Sequence, residues 1–137
     1  MYITLDDLKD LLSEEELIQL SDDNNTGAVD EEIVNRAIED ASSEIDAYLT
    51  AKMDVPLSYV PQIIKKLCVD IAVYNLFSRR LQDEMSENIR IRYQDAIKLL
   101  KMIAEGKLEI TGGVGVKAKG YVKKGGRVFS RVTMKGF

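Results

Sequence analysis

The 137 residues, 45% hydrophobic and 31% charged with a net charge of -4, have the length and balance of one soluble globular domain. No histidine and a single cysteine, Cys68, exclude His-dependent catalytic triads, His/Cys zinc sites, histidine pH switching and an internal disulfide. No apolar run approaches the roughly 20 residues of a membrane helix, and Met1 to Asp7 lacks a secretory signal, so an intracellular protein is expected.

Thr4 is placed to cap a first helix, with Asp7 at its third position and Leu5, Leu8, Leu11 and Leu12 as one apolar stripe. Ser13-Glu14-Glu15-Glu16 is a capping box that restarts a short helix carrying Leu17, Ile18 and Leu20. The chain therefore opens on a bent pair of short helices.

The stretch from Ser21 to Glu32 has the look of a calcium-binding loop. With Asp22 at the first position, Asn24 and Thr26 fall third and fifth, Gly27 sixth, Val29 eighth and Asp30 ninth. The twelfth position, where a glutamate should grip the ion with both oxygens, is Ile33. Glu32 arrives one residue early, about 100° away around a helix. Asp22, Asn24, Thr26 and Asp30 are thus weak metal candidates, and the same residues suit a tight polar turn followed by a cap on the next helix. The turn is the preferred reading, and no metal or cofactor is expected.

From Glu31 to about Met53, Val34, Ala37, Ile38, Ala41, Ile45, Tyr48 and Leu49 recur at three- and four-residue steps, one face of a long amphipathic helix. Asp54-Val55-Pro56-Leu57 stops it, because the residue before a proline is pushed out of the helical region. Pro61 is suited to the first helical position, where a missing amide costs nothing. The helix from about Pro61 to Leu81 is apolar on several sides and is expected to be central, with Cys68 a buried, inert thiol. A last helix from about Glu87 to Glu105 carries Ile89, Tyr93, Ala96, Ile97, Leu100, Ile103 and Ala104, with Gly106 as its left-handed cap.

Beyond Gly106 both pattern and charge change. Residues 106–137 hold eight of the nine glycines and eight Lys or Arg against Glu109 alone, a net of +7, while the other 105 residues carry 11 basic and 22 acidic side chains, a net of -11. Short β-like pieces are expected at Leu108 to Thr111, Val114 to Val116 and Arg127 to Met134, and a lone hairpin of this kind is only marginally stable in water. Gly112 to Lys117 lacks the Gly-Lys-Ser/Thr ending of a phosphate loop, and Gly120 is followed by Tyr121. The fold class is all-α: two short N-terminal helices and three longer ones form a bundle over residues 1–106, and 107–137 is an extended, basic β-like arm. The arm suits a protein partner, through strand addition and opposite charge, or a nucleic-acid backbone. Its candidate contact residues are Lys117, Lys119, Tyr121, Lys123, Lys124, Arg127, Phe129, Arg131, Met134 and Phe137. No catalytic constellation is found, so an enzyme is not expected.

Several words in this chain resemble one family. Ile3-Thr4-Leu5-Asp6-Asp7-Leu8, Ala37 through Leu49, Phe77-Ser78-Arg79-Arg80, Arg92 through Leu100, and Ile103 through Leu108 are similar to the small head-to-tail adaptor proteins of tailed bacteriophages, in particular those of Mu-like phages and prophages. The resemblance covers nearly all of the body and is weakest at residues 112–126. It implies a non-enzymatic structural virion protein forming a ring, commonly of about a dozen copies, beneath the portal. Its implied neighbours are further copies of itself, the portal protein and a tail-completion or terminator protein, and DNA would pass through without specific binding. The implied location is the virion neck, reached from the host cytoplasm during assembly. A small helical nucleic-acid-binding or regulatory protein using the basic arm is the alternative, and a calcium-dependent interaction protein a third reading.

Overall fold

The computed structural model describes residues 1–79, 86–111 and 115–118. Five helices carry the body: α1 (Leu5–Leu8), α2 (Glu14–Ser21), α3 (Glu31–Leu49), α4 (Gln62–Ser78) and α5 (Glu87–Ala104). Two short strands follow, β1 (Leu108–Thr111) and β2 (Gly115–Ala118). The all-α architecture expected from periodicity is the one observed, and among the described residues no helix is long and apolar enough to cross a membrane.

Local signals account for most element starts. The Thr4 amide donates to the Asp7 carboxylate at 2.9 Å, and Ser13 and Glu16 bond reciprocally at 3.1 and 3.0 Å. The leucine stripe of α1 does not stay together, however. The helix ends after Leu8, and the following turn buries Leu12 but leaves Leu11 36% exposed. At the next junction Asp30 Oδ1 accepts from the Glu32 and Ile33 amides, which starts α3.

α3 ends at Leu49, short of the expected Met53. Its last turn loosens while keeping the Thr50-to-Asp46 and Met53-to-Leu49 bonds at 2.9 and 3.0 Å. The chain leaves the helix axis there because Met53, Val55, Leu57 and Val60 turn back onto the core. Leu57 is also anchored, its amide donating to Tyr2 Oη at 3.0 Å. Pro61 is the cap of α4 rather than its first residue: its ψ of 155° is extended, and its carbonyl accepts from Ile64 and Lys65. The expected end of this helix near Leu81 lies outside the described residues.

α4 is the central helix, with Ile64, Leu67, Cys68, Ile71, Val73 and Leu76 all buried. It pairs with α3 to form a middle layer. α1 and α2 touch both helices of that pair, and α5 packs on the same two helices. Tyr74 of α4 stacks on Tyr93 of α5 with ring centroids 3.8 Å apart, and Tyr93 donates to Glu44 of α3 at 3.1 Å. Gly106 closes α5 as expected, at φ 83°, with its amide on the Ile103 carbonyl and the Lys107 amide on Met102.

β1 and β2 pair antiparallel, with Leu108 opposite Ala118 and Thr111 opposite Gly115. The second strand thus runs from Gly115 to Ala118, longer than and displaced from the expected Val114 to Val116. Leu108 and Ile110 pack against the core beside α5, which supplies the support that an isolated hairpin lacks. The third expected strand, Arg127 to Met134, lies outside the described residues.

Candidate functional site

The turn from Ser21 to Asp30 is built by its own side chains. Asp22 Oδ1 accepts from the Thr26 amide at 2.8 Å and the Thr26 hydroxyl at 2.9 Å, and Oδ2 accepts from the Gly27 amide at 2.7 Å. The Thr26 and Gly27 amide bonds stabilise the charged form and hold the Asp22 carboxyl below its ordinary range. Asn25 and Gly27 take positive φ, 56° and 82°, as a turn of this kind requires. The fully buried Ser21 hydroxyl accepts from the Asp30 amide at 3.0 Å and donates to the Leu17 carbonyl at 2.7 Å, which ties the two ends of the turn together. Arg79 then clamps the turn to the end of α4, donating to the Leu20 carbonyl at 2.7 Å and to Asp23 at 2.6 Å.

Of the four weak metal candidates, Asp22, Thr26 and Asp30 therefore do structural work, while Asn24 is an exposed residue of the same turn. Ile33, at the position where a twelfth ligand belongs, packs against the core. Among the described residues no group of three or more His, Cys, Asp or Glu side chains is placed to hold a metal ion.

The second polar feature was not singled out in the sequence. Asp70 lies on the apolar central helix with its side chain only 1% exposed, and it accepts from Lys66 at 3.0 Å and from Arg92 Nε at 2.9 Å. Lys66 and Arg92 are 58% and 43% exposed, so a buried carboxylate holds two cations at the rim of an open groove that Asp7, Asp10, Leu11 and Val69 also line. The four-residue step from Lys66 to Asp70 is a legible ion-pair signal, but Arg92 comes from another helix.

Tyr2 sits between α3 and the connector that follows it. Its amide donates to Ser42 Oγ at 3.1 Å, and its hydroxyl donates to Asp46 while accepting from Leu57. Burial, reinforced by the bond to Asp46, pushes the Tyr2 phenol up to about 12. Cys68 faces Ser42 at 3.6 Å and is buried, which raises its thiol to about 11 and makes it the unreactive group expected.

The contact residues assigned to the arm fall almost entirely beyond the described residues. Lys117 lies on β2, whereas Lys119, Tyr121, Lys123, Lys124, Arg127, Phe129, Arg131, Met134 and Phe137 all lie outside. The layered body does sharpen the charge asymmetry. Residues 1–30 hold nine Asp or Glu against Lys9 alone, a net of -8, so most of the body's net negative charge of -11 falls on α1, α2 and the turn. Asp10, Glu14, Glu15 and Glu16 are exposed there.

The family model described as Bacteriophage Mu, Gp36 matches residues 2–124, the whole body and the first part of the arm. The chain belongs to the Bacteriophage Mu Gp36 family. Among curated relatives, the Mu-like prophage FluMu protein gp36 of Haemophilus influenzae is 32% identical over 115 residues, covering 80% of this chain and 79% of its own length. Gene product J of Escherichia phage Mu is 31% identical over 83 residues, covering 61% of this chain and 56% of its own length. The expected link to Mu-like phages and prophages is thereby shown, and the match extends past Gly106 through both described strands.

Proposed function

We propose that this chain is a structural virion protein, a head-to-tail adaptor subunit that assembles with itself into a ring between portal and tail. The observation that carries the proposal is the charge arrangement of a Gp36-family chain: an acidic N-terminal segment, net -8 over residues 1–30, and a basic arm of net +7 at the other end of the chain. Such a molecule has two unlike surfaces, and unlike surfaces that meet head to tail form a ring when the rotation between copies closes. The polar groups built into the body bond to its own backbone and side chains, which leaves recognition to the surface and the arm. On this reading the chain is not an enzyme and uses no cofactor. Its partners are further copies, the portal and a tail-completion protein, and it acts at the virion neck. The acidic layer would keep passing DNA from sticking, since phosphates are repelled by carboxylates.

The test is to remove this protein from a phage-producing cell. DNA-filled heads and finished tails are expected to accumulate unjoined, and electron microscopy of complete particles should show a ring of this protein at the junction. Joined particles forming in its absence would overturn the adaptor reading.

A further inference from the structure

A groove beside β1 is lined by Lys52 and Met53, which follow α3, by Ile103 of α5, and by Leu108, Glu109 and Ile110 of β1. Successive strand residues point to opposite faces, so a groove that touches three in a row and none of β2 runs along the edge of β1 rather than over a face of the sheet. Among the described residues β1 pairs with β2 alone, which leaves the amides and carbonyls of that edge without a ladder partner there. The floor of the groove is apolar, and Leu108 and Ile110 are only half-buried although they pack on the core. Lys52 and Glu109 are exposed and opposite in sign, so the groove does not select its occupant by charge. It offers a free strand edge over an apolar floor, which is what an added strand requires.

We infer that residues 127–134 of the same chain fill this groove as a third strand on the free edge of β1. Val128, Ser130, Val132 and Met134 alternate with Arg127, Phe129, Arg131 and Thr133. An added strand shares the pleat of its neighbour, so the Val128, Val132 and Met134 side continues the inward layer of Leu108 and Ile110. The other stretches outside the described residues do not fit: 80–85 joins α4 to α5, 112–114 joins the two strands, and 119–126 holds three glycines and three lysines. Reach favours the segment on the same chain. β2 ends at Ala118, opposite Leu108, and eight residues, 119–126, precede Arg127. A flexible linker of that length spans about 16 Å on average and roughly 30 Å when extended, against roughly 10 Å for two strand spacings. Such a tether gives a local concentration on the order of millimolar, which places the segment ahead of its counterpart on a second copy. The docking does not depend on the adaptor reading. It turns Arg127, Phe129 and Arg131 outward and so makes part of the basic arm a fixed face of the body.

Hydrogen exchange of the full chain tests the docking. Amides of residues 127–134 should exchange at least about tenfold more slowly than the same sequence unstructured, with no change on dilution. Val128→Asp with Val132→Asp puts carboxylates on the apolar floor and should erase that protection. Phe129→Asp with Thr133→Asp adds the same charge at the same spacing on the outward side and should keep protection within about threefold. Amides at unstructured rates in the unaltered protein, two variants that behave alike, or protection that fades on dilution would each overturn the inference. Location is read by replacing the exposed Lys52 with a benzophenone-bearing residue, which on illumination should crosslink to residues 127–134 of its own chain. Crosslinks that miss this segment would refute the docking. In an equal mixture of light and heavy-isotope protein, crosslinks of mixed label would assign the groove to a second copy and refute the tethered strand.

Discussion

Removing Asp70 and removing its two partners should have unequal consequences, although both delete the same ion pairs. In Asp70→Ala, Lys66 and Arg92 lose their acceptor, but they are already 58% and 43% exposed and can turn fully into water. Two charge-assisted hydrogen bonds are lost, discounted for solvent screening and for relief of the buried carboxylate, so a destabilisation of about 1–2 kcal/mol is expected. In Lys66→Met with Arg92→Met the aliphatic stems stay and the charges go, leaving behind a carboxylate that is only 1% exposed. Stranding a buried charge costs about 3–5 kcal/mol, so this double variant should be the less stable one. Adding Asp70→Ala to it should restore stability to within about 1 kcal/mol of the single variant, because the stranded charge is gone. Urea unfolding followed by far-UV circular dichroism measures all three, with unchanged m-values confirming a common unfolded reference. A double variant no less stable than Asp70→Ala, or a triple variant without recovery, would show that water or another group satisfies Asp70 and would refute the reasoning.

Two further outcomes follow from the titrating groups and the turn. Tyr2 and Tyr93 are held neutral by burial, next to Asp46 and Glu44 respectively, and both rise from 10.0 to about 12. A phenol whose folded value is raised contributes stability that is fully present below pH 10 and lost as pH climbs towards 12, so the melting temperature should fall across that window. Tyr2→Phe and Tyr93→Phe should each flatten the fall, and an unchanged slope would assign it to other groups. For the turn, calcium should leave the melting temperature of the unaltered protein where it is, while Asp22→Ala should lower it equally with and without calcium, since Thr26 and Gly27 lose their acceptor either way. A calcium-dependent rise that vanishes in Asp22→Ala would restore the metal reading.

The parts legible in the sequence are those decided within a few residues. The capping residues Thr4, Ser13 and Asp30, the inward face of α3 and the cap at Gly106 all stand where helical spacing and cap chemistry place them. Where the structure departs from the periodicity, packing is the reason. Nothing near Leu11 in the chain says that α1 stops at Leu8, and the end of α3 shifts because residues up to Val60 return to the core. The role of Asp70 is not legible in the sequence, because an acid inside an apolar run signals burial only when its distant cation is known.

By itself the sequence determined the helical class, the order of the five helices, the inert cysteine, the polar turn and the contrast between an acidic body and a basic arm. Each of these rests on composition or on interactions between residues at most a few positions apart. Tertiary structure alone decided that Arg92 meets Asp70 across 22 residues, that Leu57 reaches Tyr2 across 55 and that Arg79 clamps the turn at Leu20 across 59. It also decided that Asp7, Asp10 and Leu11 share one groove with Lys66 and Asp70 of α4 and Arg92 of α5. Helix periodicity says which face of each helix is apolar. Only the way those faces close over a shared core sets which charged faces remain outside, and in which directions they point.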